Sequence, residues 1–124
     1  MVSAVKTRVM PITKDVMERM PGGFIVYKAT EEETVLYANE AALRIYGCKS
    51  FDEFLEFVQS SFRGMVFAED LERVETTIAK QVCDNDNYDH VVYRIKRLDG
   101  SIRWVDDYGH LVHTEEFGDL YYVF

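Results

Sequence analysis

The stretch from Tyr88 to Val105, YDHVVYRIKRLDGSIRWV, decides the fold. Two runs of alternating β-branched and aromatic residues flank Asp99-Gly100. That dipeptide predicts a hairpin closed by a primed turn, because glycine adopts positive φ at no steric cost. Alternation places Val91, Tyr93 and Ile95 on one face of the first strand and Val92, Arg94 and Lys96 on the other. The first set is apolar and is expected to face the core.

Downstream, Glu115 to Asp119 forms a break and Leu120 to Phe124 a last strand. Upstream, Asp84-Asn85-Asp86-Asn87 is a polar break. Before it, Asp70 is expected to cap a helix whose inward stripe is Leu71, Val74, Ile78 and Val82. Ser50-Phe51-Asp52-Glu53 reads as a capping box, with Phe51, Phe54, Leu55 and Val58 on one face behind it. Asn39 and Gly47 bracket a helix over Glu40 to Tyr46, with Ala42, Leu43 and Tyr46 as its stripe. Phe24 to Ala29 and Thr34 to Ala38 read as strands around the acidic turn Glu31-Glu32-Glu33, a solvated charge run. Thr13 caps a short helix with Val16, Met17 and Met20 on one stripe, ended by Pro21-Gly22-Gly23. Residues 1–12 have no clear pattern. Hairpins at both ends with helices between them predict an α+β domain on an antiparallel sheet.

The bulk properties agree. A chain of 124 residues, 48% apolar, predicts one domain with a core of its own. Net charge is −8, and it is uneven. Residues 1–28 carry five Lys or Arg against two acids, and the remainder nine against twenty. The acidic body repels phosphate backbones, which argues against nucleic acid as a partner. The basic N-terminal segment reads as a solvated helix face. Cys48 and Cys83 are the only cysteines; with no signal peptide they suggest a reduced, cytoplasmic setting without a disulfide. No apolar run approaches the ~20 residues of a membrane helix.

Four local motifs resemble those of the PAS domain. Met20-Pro21-Gly22-Gly23-Phe24 looks like the entry to the family's first strand. Leu36-Tyr37-Ala38-Asn39-Glu40-Ala41-Ala42 resembles its passage from second strand to first helix. Phe67-Ala68-Glu69-Asp70-Leu71 is similar to its entry to the long helix, although Ala68 and Phe67 stand where Pro and His are usual. The most specific is Tyr93 to Val105, which resembles the family's Trp-containing hairpin, with Val92 in place of a frequent Glu. The resemblance covers about residues 14–124, leaving 1–13 as an N-terminal, partly helical extension. It implies a five-stranded antiparallel sheet with helices across one face and small ligands held between the two. It also implies a sensor that regulates a diguanylate cyclase, phosphodiesterase or histidine kinase domain. Phe124 precedes the Asp-Ile-Thr that usually joins such an output domain, so this reads as a sensor segment of a longer protein.

On that fold the candidate ligand pocket is Phe24, Val26, Tyr27, Leu36, Tyr46, Phe54, Phe62, Met65, Val74, Ile78, Tyr93 and Ile95. Tyr27, Tyr37 and Tyr46 have hydroxyls to offer a ligand, against the simpler expectation that their tips reach water. No cofactor is expected. A flavin photosensor of this kind needs a Cys in an Asn-Cys-Arg-Phe-Leu-type motif, whereas Cys48 lies in Tyr46-Gly47-Cys48-Lys49-Ser50. A haem site needs an axial His, and residues 70–83 have none. His90, His110 and His113 fall on strands; the last two, three apart, face opposite ways and form no metal site. Asp106 and Asp107 likewise point to opposite faces. No motif of nucleophilic, phosphate-binding or metal chemistry is present, so the chain is expected not to be an enzyme. A homodimer is expected. The alternatives are a ligand-free dimerisation module, built on Val9, Val16, Met17 and Met20, and a small α+β enzyme such as a hydratase or isomerase with one Asp base in an apolar pocket. A buried acid with a strongly raised pKa would distinguish the last.

Overall fold

A computed structural model describes residues 15–124. The Thr13 cap, Val9 and the extension over 1–13 lie outside the described residues. Residues 15–19 are helical. Then follow β1 (Ile25–Lys28), β2 (Val35–Ala38), α1 (Glu40–Tyr46), α2 (Phe51–Val58), α3 (Phe62–Met65), a 3-10 turn (Ala68–Asp70), α4 (Leu71–Asp84), β3 (Tyr88–Lys96), β4 (Ile102–Thr114) and β5 (Gly118–Val123). The five strands form one antiparallel sheet in the order β2-β1-β5-β4-β3. Helices cover one face of it. There Val91, Tyr93 and Ile95 of β3 meet Phe54, Val58, Phe62, Met65, Val74 and Ile78. Val92 is exposed on the other face, as the alternation requires.

The caps follow from the sequence. Asn39 Oδ1 accepts the Ala42 N–H at 3.0 Å, and Ser50 Oγ accepts that of Glu53 at 3.1 Å. The Glu53 carboxylate closes its box on the Lys49 N–H at 2.7 Å, one residue ahead of the cap. At the other end of α1, Arg97 donates from Nε to the Ile45 carbonyl (3.0 Å) and from Nη2 to that of Arg44 (3.1 Å). A cation at a helix C-terminus satisfies carbonyls that have no partner within the helix.

The β3–β4 hairpin forms in the expected place with a different turn. Pairing stops at Lys96 and Ile102, and the Gly100 N–H bonds the Arg97 carbonyl at 2.8 Å. Gly100 is at φ 89 but Asp99 is not at positive φ, so this is not the primed turn. The Asp99 carboxylate accepts from the N–H and hydroxyl of Ser101, at 2.9 and 2.6 Å, and that local bonding favours the longer connection.

Asp70 corrects a second expectation. It stands before α4 but makes no capping bond. Its carboxylate instead grips Arg94 of β3, accepting from the backbone N–H (2.9 Å), Nε (3.1 Å) and Nη2 (2.6 Å). A two-pronged charge-assisted pair outweighs one cap bond. The guanidinium lies 4.7 Å from the Phe67 ring centroid and 5.5 Å from that of Trp104. The pair holds the Asp70 carboxyl down at about 2, mainly through the hydrogen bonds from Arg94. Its stabilisation is present above the ordinary carboxylate range and is lost as pH falls through about 2. Asp70→Asn is expected to cost about 2 kcal/mol in urea unfolding at neutral pH, since Arg94 keeps partial access to water. A loss within 0.5 kcal/mol would show that α4 docks without the pair.

Candidate functional site

Nine of the twelve candidate pocket residues converge between sheet and helices. Tyr27, Tyr46, Phe54, Phe62, Met65, Val74, Ile78, Tyr93 and Ile95 are all buried in one cluster. Phe24, Val26 and Leu36 do not join them. β1 turns Ile25 and Tyr27 inward, so Phe24 and Val26 belong to the opposite face, where Phe24 packs edge-on against Tyr122. The β1–β2 pairing slips between Val26 and Tyr27. That irregularity puts Val35 and Ala38 inside and leaves Leu36 37% exposed.

The tyrosine tips are not generally wet. Tyr46 donates to the Met65 carbonyl at 3.2 Å in the interior, and Tyr93 donates to Asp107 Oδ2 at 2.7 Å. Tyr27 is buried, its ring stacked 4.5 Å from Phe62 and 5.0 Å from Tyr121. Tyr37 is half-buried and donates to the Glu18 carboxylate.

Two acids that the sequence did not single out for the core lie inside it. Asp107 is 3% exposed and Asp89 6%. Asp106 faces outward and pairs with His90, as the opposite-face rule requires. Asp107 Oδ1 and Asp89 Oδ1 are buried without a hydrogen-bond partner. Burial pushes the Asp107 carboxyl up to about 7; the Tyr93 hydrogen bond opposes this and the nearby Asp89 charge adds to it. Burial likewise raises Asp89 to about 6. Gly109 makes room: a Cβ there would lie 2.5 Å from Asp89 Oδ2. The signal was available in the alternation, since Asp89 is in phase with Val91, Tyr93 and Ile95.

A cavity of about 230 Å³ opens beside this cluster, walled by Tyr27, Phe62, Ile78 and Tyr121, with Glu33 and Glu75 on its rim. Glu33 is therefore only partly a member of a solvated run. Its Oε1 is buried without a hydrogen-bond partner. Burial, followed by a hydrogen bond shared with Glu75, pushes its carboxyl up to about 7, while Arg63 works the other way. Among the described residues no group of His, Cys, Asp or Glu is arranged to hold a metal ion. Cys48 is buried and Cys83 exposed, both as free thiols. No helix of the described residues is long and apolar enough to cross a membrane.

The model of the family described as "PAS fold" matches residues 35–123. The chain belongs to the PAS family, whose members are generally sensory, non-enzymatic modules of signalling proteins. No curated protein matches the sequence. Solved structures share the fold at low identity. A PAS domain from Colwellia psychrerythraea is 14% identical, with 94% of this chain and 95% of that one covered and a TM-score of 0.72. A LOV protein of Rhodobacter sphaeroides is 16% identical over 95% of this chain and 66% of that one, with a TM-score of 0.69. The PAS domain of a LuxR-family transcriptional regulator from Burkholderia thailandensis, in complex with ethanol, is 15% identical over 90% and 94%, with a TM-score of 0.67.

Proposed function

We propose that this domain is a cytoplasmic sensor. It takes a small molecule into the cavity between sheet and helices and passes the event to a downstream signalling domain, a cyclic-dinucleotide enzyme or a histidine kinase. The observation that carries the reading is the 230 Å³ cavity walled by Tyr27, Phe62, Ile78 and Tyr121 with Glu33 and Glu75 on its rim. A concave, mostly apolar pocket with a few convergent polar groups is the usual form of a small-molecule site. The ethanol complex of a structural neighbour is in keeping with a small occupant.

Pairing of two copies is the second half of the proposal. Trp104 (65% exposed), Tyr108, Val92 and Ile102 are exposed on the outer face of the sheet, interleaved with Arg94 and the His90–Asp106 pair, and offer apolar surface to a second copy. Asp107 has the buried, raised carboxyl that the enzyme alternative asked for. We read it as part of a ligand-recognising core, because the family is sensory and Tyr93 already occupies one of its oxygens.

Native mass spectrometry of the purified chain, with an absorption spectrum of the same sample, tests both halves. The expected result is a dimer carrying an added mass that is lost on denaturation, with no visible band. Ala79→Phe, which projects a ring into the cavity, is expected to abolish the added mass and keep the dimer. A dimer of bare chains that takes up no small molecule would favour the ligand-free dimerisation module instead.

A further inference from the structure

The cavity carries more acid than its surroundings neutralise, and its walls are π-faces. Tyr27, Phe62 and Tyr121 present stacked rings to it. Glu33 and Glu75 sit on the rim, and among the described residues the cation paired with them is Arg63, with Nε 3.2 Å from Glu75 and 3.9 Å from Glu33. Glu33 Oε1 is out of contact with water and accepts no hydrogen bond. Glu33 is also held at φ 53, a left-handed conformation that is unfavourable for a non-glycine residue. Its own carbonyl accepts the Phe62 N–H at 3.0 Å, which fixes that turn against α3. Deeper in the core, Asp107 and Asp89 each keep a buried oxygen without a partner, and their charges reach the Tyr27 hydroxyl on the cavity wall.

We infer that the occupant of this cavity is a small organic cation, an alkylammonium ion whose N–H donors meet Glu33 while its carbon body lies against Tyr27, Phe62 and Tyr121. The inference rests on the pocket reading above and deepens it. The ammonium sets a positive charge and N–H donors beside two carboxylates that share one arginine, and aromatic faces attract cations. The volume suits roughly six to eight non-hydrogen atoms at about 30 Å³ each. The acidic rim raises the local concentration of a cation and turns anions away.

The test is calorimetric titration of the 124-residue chain with n-butylammonium and, separately, with uncharged 1-butanol. The expected result is that n-butylammonium binds more tightly than butanol. Glu33→Gln is expected to weaken n-butylammonium roughly ten-fold or more and to leave butanol unchanged. Glu75→Gln, on the other side of the rim, carries the same test if Glu33→Gln does not fold. Butanol binding as tightly as n-butylammonium, or both variants binding the amine like the parent, would overturn the cation and leave the pocket standing. Failure of both probes to bind would overturn the pocket as well.

Discussion

Asn39→Ala is expected to lower stability by about 4 kcal/mol, the largest loss from one side chain outside the apolar core. An amide side chain offers two acceptor lone pairs and two donors, and here all four are used. Oδ1 accepts from the N–H of Phe24 at 2.8 Å and of Ala42 at 3.0 Å. Nδ2 donates to the carbonyls of Met17 at 2.7 Å and Gly22 at 3.1 Å. One residue, 0% exposed, thus joins the N-terminal helical segment, the entry to β1 and the start of α1. Truncation removes a cap worth about 1 kcal/mol and strands backbone groups at about 1–3 kcal/mol each, less whatever water restores. Asn39→Asp keeps the two accepted bonds, loses the two donated ones and is expected to fall between the parent and Asn39→Ala. Urea unfolding of the three proteins gives the order directly. A loss below 1 kcal/mol for Asn39→Ala would show that the freed groups find other partners.

Asp107→Asn is expected to raise stability at pH 8 and to flatten its dependence on pH. Well below pH 3.8 the Asp107 carboxyl is protonated in both the folded and the unfolded chain and has no differential effect. Its folded value is pushed up to about 7 from an ordinary 3.8. Between these limits the unfolded chain ionises first, the folded chain binds more protons, and stability falls as pH rises. Above about pH 7 the full penalty applies, on the order of 4 kcal/mol for a shift of roughly three pH units. Asparagine is neutral at every pH and keeps an acceptor for the Tyr93 hydroxyl, but it adds an amide donor with no partner. The net gain at pH 8 is therefore expected to be about 2 kcal/mol, with no gain at pH 4. Asp89 and Glu33, raised to about 6 and about 7, act in the same sense. They leave the variant some residual slope. Asp70 acts in the opposite sense but only near its lowered value of about 2. Unfolding in urea at pH 5 and pH 8 measures the slope. A variant less stable than the parent at pH 8 would mean that the ionised Asp107 is well solvated in the fold.

The sheet and the long helices were legible because their signals are local. A period of two exposed the inner face of β3, and a period near 3.6 exposed those of α2 and α4. Asn39 and Ser50 were legible as caps because a short polar side chain before an apolar stripe has one economical use. The strands β1 and β2 were located but misphased in part. Four residues apiece give too few alternations to set a phase, and the slip between Val26 and Tyr27 defeats the count altogether. Asp70 had the right neighbours for a cap and went to Arg94, twenty-four residues away, because the stronger partner is brought by the sheet.

By itself, then, the sequence determined the order of the strands and longer helices, the inward face of the central hairpin and the family; it missed the short helix α3 and set some strand ends a residue or two off. What it determined follows from sterics and hydrogen bonding among residues within a few positions of one another. Only the tertiary structure decided how deeply the acids are buried and what they meet there. Glu33 looked like one of three solvated glutamates until α3 and α4 were laid beside it; Asp107 was expected on the opposite face from Asp106, and the packing added that Tyr93 binds one of its oxygens while the other is buried without a partner. Whether a carboxylate is solvated depends on what another segment places against it. Alternation tells which face of a strand an acid lies on; its depth and its partners there are properties of packing at a distance, which neither periodicity nor spacing encodes.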